Sequence, residues 1–434
     1  MFFALHSLTT MQMFDDSTAA KHVLAHDDAL RFLQRAAHLL LEYNMRTELL
    51  RNRLQNVAKV LDVPVHVDIG YRTVTLHTPH GSLHAQAHEI RINVAVNAAV
   101  MAIVDAVTAQ TLPVREAIDA LDNVVARASR HNRWILALIF GLAASALGTL
   151  QSGDPVAIAT VGIASALGLL ARQELAKRHV ALFALPFTAA LIGSLLGGLV
   201  IAMGWTNTPG ICLIVPALML VPGPHLINTL YDAIENNLQT AIPRLGLATG
   251  ILLAAAAGVF LGGWLTLGWT TVPPGHSNVL PITLMTDMLL AGIAACGFGA
   301  FYNEPWRVLW TSIVCGMVGH GVRYLSLKHG MPLETATLLA CFAIGMIASV
   351  LVQRLKVQFA AVAFAGAVPM MPGVFMYQGI GGAMQIALAG GDAAAGLLSV
   401  TLFNIFKASF VVGAMGIGLL LGDKLATLVR GRAA

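Results

Sequence analysis

The chain has 434 residues, 57% of them hydrophobic and only 11% charged, with a formal charge of +4. Up to Arg133 it carries thirteen Lys/Arg and thirteen Asp/Glu, which leaves thirteen and nine for all the positions that follow, far below the roughly one quarter charged residues of a water-soluble domain. The balanced N-terminal part, with no Lys/Arg run longer than two, argues against nucleic-acid binding, and the solvent of the remainder is not water.

Residues 1–27 read as a flexible lead without the basic and long apolar segments of a signal peptide. Residues 28–131 read as a small cytoplasmic α/β domain. Leu30, Leu33, Ala37, Leu40 and Leu41, then Leu49, Leu50, Leu54, Val57 and Leu61, recur at helical spacing. Val65, Val67, Ile69 and then Val74, Leu76 alternate around Gly70-Tyr71 as in a hairpin, and Pro79-Gly81 opens a further strand. A third helix is expected over 92–110, and Pro113 opens a fourth that ends near Ala128.

Ten apolar runs follow. The first five, at about 134–150, 155–171, 180–203, 209–230 and 245–269, define a first transmembrane unit over 132–269. The second five, at about 280–301, 306–327, 333–352, 357–379 and 393–421, define a second over 279–422, with 423–434 left as a cytoplasmic tail. Most reach the roughly 20 residues that about 30 Å of hydrocarbon requires. The positive-inside rule puts both termini in the cytoplasm: Arg130, Arg133, Arg172, Lys177, Arg178, Arg244, Arg307, Arg354, Lys356, Lys424, Arg430 and Arg432 fall on one side, while the loops around Gly153, Asn207, His276 and Gly391 carry no Lys or Arg. Arg323 and Lys328 break the pattern. The expected fold is a mainly α membrane protein of the cytoplasmic (inner) membrane, with ten transmembrane helices behind a small soluble α/β domain.

The fourth run of each set carries the same interruption, Leu220-Val221-Pro222-Gly223 in the first and Met370-Met371-Pro372-Gly373 in the second. Five is odd, so the second set enters from the opposite side and the repeats are inverted, a plan of secondary transporters that alternate between two conformations. Proline removes an N–H, which would free carbonyls near Leu218 and Leu220, and Gly223 lets a ligand approach the backbone. Freed carbonyls in hydrocarbon need a wet or buried cavity, so Pro222, Gly223, Pro372 and Gly373 are candidate substrate-binding residues. His225, Asn228, Thr229 and Asp232 then share one helical face, and Tyr377 follows the second break.

Lys407 lies well inside the last run with Asn404 one turn before it, and a lysine at the bilayer centre costs roughly 2.5 to 3.5 kcal/mol. Asp287, Asp232 or a substrate carboxylate are its candidate partners. Asp232 and Asp287 are the candidate proton-coupling residues. Glu334, just after Pro332, suits a helix start, and His320 between two glycines reads as a packed residue. His80, His84 and His88 straddle a turn and a strand, so no metal site is expected. Cys212, Cys296, Cys315 and Cys341 read as small buried hydrophobes.

Several segments together resemble the threonine/serine exporter family. They are Leu39-Leu40-Leu41-Glu42-Tyr43-Asn44-Met45-Arg46-Thr47-Glu48, Gly153-Asp154, and Val221-Pro222-Gly223-Pro224-His225-Leu226-Ile227-Asn228 in the first module. Gly297-Phe298-Gly299-Ala300, Asn303-Glu304-Pro305 and Met371-Pro372-Gly373 are similar to the second module, which is fused to the first here. The resemblance implies export of small hydrophilic metabolites across the cytoplasmic membrane, driven by the proton motive force, with threonine and serine as substrates or, alternatively, C4 dicarboxylates such as succinate. The expected partners are that substrate, protons and the lipid bilayer, and a homo-oligomer is left open. No cofactor is expected. Neither an HExxH or GxSxG motif nor a paired-aspartate motif points to an enzyme. A membrane scaffold or receptor centred on the N-terminal domain is the remaining alternative.

Overall fold

The computed structural model describes residues 26–128, 131–178, 180–268, 282–355, 357–390 and 395–431. Most of the N-terminal lead, together with Arg130, His276, Lys356, Gly391 and Arg432, lies outside the described residues, as does the side chain of Tyr377. The chain divides into two units: residues up to Ala128 with Asp232–Thr240, and the rest.

The first unit follows the alternation of its sequence. Helices α1 (26–42) and α2 (Thr47–Val60) precede strands β1 (His66–Ile69), β2 (Thr73–Thr78) and β3 (Gly81–Gln86), and α3 (Val94–Thr108) and α4 (Val114–Arg127) follow. The antiparallel sheet runs in the order β1-β2-β3, with Val67 opposite Leu76 and Ile69 opposite Val74. Those four residues are buried and their neighbours face outward, as a period of two demands of a sheet with one covered face. Phe32, Leu33, Leu40, Leu50, Leu54, Val100, Val104 and Leu121 complete one core around that face. The outward face carries His66, His77 and Asp68, and among the described residues no group of His, Cys, Asp or Glu could hold a metal.

Asp232–Thr240 belongs to this unit for a local reason. Helix α2 has no side-chain N-cap, and an Asp232 carboxylate oxygen accepts from the Thr47 N–H at 3.2 Å, filling one of the open donor positions of a helix start. The hydroxyls of Thr47 and Thr240 bond at 3.0 Å, Arg51 donates to Asn237 at 3.2 Å, and Arg46 pairs with Glu235 at 3.4 Å.

The second unit contains α5 (Arg133–Leu150), α6 (Pro155–Lys177), α7 (Ala184–Ala202), α8 (Pro209–Leu218), α9 (Gly223–Ile234), α10 (Leu238–Leu267), α11 (Leu284–Phe301), α12 (Leu309–Lys328), α13 (Leu333–Leu355), α14 (Phe359–Ala367), α15 (Gly373–Ala389) and α16 (Ala395–Gly431). Seven are long and apolar enough to cross a membrane, and the bent pairs α8/α9 and α14/α15 raise the count to nine among the described residues. The expected tenth, α12, has 20 residues, yet it is not among those nine: Thr311, Ser312, His320, Arg323, Ser326 and Lys328 make it too polar.

Small residues set the packing, since backbones approach closely only where side chains are short. A Cβ on Gly141 would lie 2.8 Å from the Gly162 carbonyl, and one on Gly316 2.9 Å from that of Ala291. The third and fifth helices of each set meet in the same manner, Gly258 and Gly262 against α7, and Gly418 and Gly422 against α13. The last helix differs from expectation. It continues through the supposed tail to Gly431, because Asp423 accepts from the Tyr231 hydroxyl at 2.7 Å and Arg430 bonds the Ser349 carbonyl, the Ser349 hydroxyl and Gln353 along α13. At 37 residues it is about 55 Å long.

Candidate functional site

The two interruptions fold into the same local structure. Before the first, Val221 N–H donates to the Leu218 carbonyl at 3.3 Å, and Gly223 N–H returns to Val221 at 2.9 Å across Pro222. Before the second, Met371 N–H donates to Val368 at 2.9 Å, and Gly373 N–H returns to Met371 at 2.8 Å across Pro372, whose φ of -80° and ψ of 53° are those of an inverse γ-turn. The helix directions change by 62° and 78°. The Leu218 carbonyl, expected to be freed, is therefore recaptured by a tighter bond, and the Val221 carbonyl also takes the Tyr302 hydroxyl at 3.4 Å.

Each break rests on the half-helix that precedes the other. A Cβ on Gly223 would overlap the Phe364 ring of α14, and a Cβ on Gly373 would overlap the Leu218 side chain of α8. Both crossings are close: a side chain at Gly223 would have to displace the Phe364 ring, and one at Gly373 the end of the Leu218 side chain.

A cavity of about 250 Å³ opens at the second break. Pro369, Met371, Pro372 and Gly373 form its floor, and it reaches Leu150, Gln151, Leu327 and Leu333, which sit at helix ends beside the 151–154 and 329–332 loops. Asp287 of α11 and His320, Arg323 and Tyr324 of α12 supply its polar wall. Asp287 Oδ2 and His320 Nδ1 are 2.8 Å apart, while His320 Nε2 and Arg323 Nε are buried without a hydrogen-bond partner among the described residues. The Tyr324 hydroxyl is held by the Ile282 carbonyl at 3.1 Å. The site thus offers one carboxylate, one guanidinium, one imidazole and a broken helix within a single small cavity.

Of the expected site residues, Asp287, Pro372 and Gly373 line this cavity. Pro222 and Gly223 form the other break. His225 is 4% exposed, with its Nδ1 buried and unbonded, and Asn228 is 1% exposed, both just beyond that break. Asp232 sits instead in the first unit, on the start of α2. Asn404 is buried and returns its amide to the Val400 carbonyl at 2.9 Å, one turn back on its own helix. Lys407 corrects an expectation. It pairs with Glu334 of the first turn of α13 at 2.6 Å, so neither Asp287 nor Asp232 is its partner. Glu334, in turn, is more than a helix-start acid.

Three residues of the cavity were not singled out as candidates from sequence: Arg323, Tyr324 and His320, the last read as a packed residue. Arg323 left a signal, since it violates the positive-inside pattern and sits inside a helix of the apolar region, where a charge marks a site. The cysteines follow expectation, with Cys212, Cys315 and Cys341 buried and Cys296 half-buried.

The first connection of each set is also a matched pair. Gly153 N–H returns to Gly148 at 2.9 Å and Glu304 N–H to Gly299 at 3.0 Å, each after a left-handed residue, Ser152 (φ 63°) or Asn303 (φ 58°), and each set then places an acid before a proline, Asp154-Pro155 and Glu304-Pro305. Asp154 accepts from the Thr206 hydroxyl, the Asn207, Thr208 and Ala157 N–H groups and the Thr208 hydroxyl at 2.6 to 3.2 Å. Partial burial pushes its pKa up, but these bonds outweigh it and hold the carboxyl below its usual range.

Comparison with known families fits this arrangement. A family model described as "Putative threonine/serine exporter" matches residues 31–265, and a second, "Threonine/Serine exporter, ThrE", matches residues 287–424. No solved structure matches the chain. The first match takes in most of the first unit and the first break, the second takes in Asp287, the cavity and the second break, and together they span both sets of helices: the chain belongs to the threonine/serine exporter family.

Proposed function

We propose that the protein is a proton-coupled secondary exporter of small hydrophilic amino acids of the threonine/serine type, working by alternating access in the cytoplasmic membrane. In this reading the helices cross ten times, as two inverted sets of five with both termini in the cytoplasm. The matched γ-turns, the matched acid–proline connections and the reciprocal seating of each break on the other's half-helix support the repeat. The third and fifth helices, which pack alike in both sets, support it as well.

One observation carries the substrate assignment: the cavity at Pro372-Gly373 presents a carboxylate and a guanidinium together. An α-amino acid is a zwitterion. Its ammonium meets Asp287, its carboxylate meets Arg323, and the backbone at Gly373 admits a short side chain. The cavity is smaller than the 300 to 1,000 Å³ of drug-sized pockets, as a small metabolite requires. His320, bonded to Asp287, gives the pair a route for a proton, so Asp287 rather than Asp232 is the coupling carboxylate. With this topology the 151–154 and 329–332 loops are external, and the conformation is open outward.

A dicarboxylate is the second reading, favoured by the presence of the Arg323 guanidinium and the His320 imidazole in one cavity wall, two groups that could each donate to a carboxylate. Counterflow of labelled threonine, serine and succinate into proteoliposomes separates the readings. Exchange of threonine and serine without succinate is the expected result; succinate alone would replace the amino-acid assignment, and movement of none would leave a scaffold.

A further inference from the structure

At the opposite end of the second unit from the cavity, Glu304 is fully buried in the connection between α11 and α12. Its carboxyl is tucked under the end of α11, where a Cβ on Gly299 would lie 2.6 Å from Oε2. The Ser312 hydroxyl stands 3.0 Å from Oε1 and 2.8 Å from Oε2, and one hydroxyl has one proton to give. The matching acid, Asp154, collects five donors.

Among the described residues, no cation pairs with the Glu304 carboxyl. His131 presents Nε2 to the Glu304 carbonyl at 2.8 Å, not to the carboxyl, and burial pulls its pKa below that of an ordinary histidine, so it is neutral at neutral pH and Nε2 is the donor. Cys296 of α11 and Cys315 of α12 are the other titratable neighbours. Tyr302, two residues before, feels both Glu304 and Arg172 of α6, whose guanidinium lies over the Phe301 ring at 4.8 Å. Burial pushes the Tyr302 phenol well above its usual pKa, so it remains a donor, and it gives its proton to the Val221 carbonyl at the first break. A charge that appears on Glu304 is therefore felt by the group that caps that break.

We propose that Glu304 is a second protonation site of the transport cycle, a coupling residue on the inner side whose carboxyl takes up a proton from the cytoplasmic face and releases it there, setting through Tyr302 the state of the first broken helix. This rests on the proton-coupled reading above. The step is a simple acid equilibrium, carboxylate plus proton to carboxylic acid, and nothing else is consumed. Burial raises the Glu304 pKa to about 8 against the opposing bond from Ser312, so the residue changes charge near cytoplasmic pH.

Two readouts test it on the full-length protein. In proteoliposomes, Glu304→Gln is expected to lose uphill accumulation driven by a pH gradient while retaining threonine counterflow. Ser312→Ala, which removes the donor to the charged form, is expected to move the pH midpoint of gradient-driven transport upward by about one to two units. By infrared spectroscopy, a protonated-carboxyl band that disappears near pH 8 in the wild type is expected to be missing from Glu304→Gln. Unchanged gradient-driven transport in Glu304→Gln, or an unmoved midpoint in Ser312→Ala, overturns the coupling role. A band that persists in Glu304→Gln overturns the protonation site itself, whatever the protein transports. A wild type that shows the band but no gradient-driven transport refutes the proton-coupled reading and the coupling role with it.

Discussion

The two sets of helices share their turns and differ in what they place beside them. At the first break the crossing glycine faces an aromatic ring, Phe364, which belongs to a cluster with Phe298 and Tyr302; at the second it faces the end of the Leu218 side chain, an aliphatic group with two side-chain torsions. Beside the first connection an acid is surrounded by five donors, and beside the second an acid has one. The second break opens onto a cavity with ionisable walls. Two similar turns thus acquire a division of labour through a handful of side chains: the first is held fixed where the second can change charge or admit a ligand.

The comparison can be broken most decisively at the cavity. Arg323→Met removes the guanidinium and keeps a side chain of similar length, and is expected to abolish amino-acid exchange while leaving the protein folded. Counterflow with size-exclusion chromatography checks both halves of that statement. Exchange at the wild-type rate would mean that the cavity is a packing defect.

A smaller effect, and a sharper one for the pairing of the breaks, comes from glycine to alanine. Gly223→Ala drives a methyl into a rigid ring and is expected to destabilise by about 1 to 3 kcal/mol, whereas Gly373→Ala meets a leucine that can rotate and falls at or below the lower end of that range. Thermal unfolding in detergent ranks the two. The reverse order would show that the crossings are not as the glycine environments imply.

The paired acids predict opposite pH dependences. Asp154 has a depressed pKa, so it contributes stability above the unfolded carboxylate range, and that contribution is lost as pH falls through its folded value. Asp154→Asn is therefore expected to lower Tm at neutral pH and to approach the wild type in acid. Glu304 has a raised pKa, about 8, so its pocket favours folding at low pH and the advantage declines as pH rises from the ordinary carboxylate range to 8. Glu304→Gln is expected to raise Tm relative to the wild type toward pH 8 to 9, where the buried charge would otherwise form. Tm measured against pH for the two variants, moving in the same direction, would remove the contrast.

The smallest effect is reserved for Lys407 and Glu334. This half-exposed pair is expected to be worth about 0 to 1 kcal/mol, and Lys407→Met should change neither exchange nor fold appreciably. Loss of exchange in Lys407→Met would restore the lysine to the substrate site.

What the sequence made legible was local. Pro222-Gly223 and Pro372-Gly373 announce themselves because a proline followed by a glycine has few other reasons to sit in an apolar run, and both proved to be turns. The alternation around Gly70 and the helical spacing of the first unit carried through for the same reason. What escaped depends on distant pairs. Asp287 and His320 are 33 positions apart and meet only because α11 packs on α12. Lys407 finds Glu334 because α16 lies along α13. The tail beyond Leu421 looked like a cytoplasmic end by its charges, yet Asp423 and Arg430 use those charges to hold α16 onto its neighbours. Asp232 kept the helical face expected of it, but Thr47, 185 positions away, claims its carboxylate.

The central claim is that a zwitterion is held between Asp287 and Arg323 at the second break. The most direct test is equilibrium binding of threonine to the purified full-length protein, for the wild type, Asp287→Asn and Arg323→Met. Saturable binding by the wild type that both variants lose is the predicted result. Binding that survives both substitutions unchanged would contradict the account and move the substrate away from this cavity.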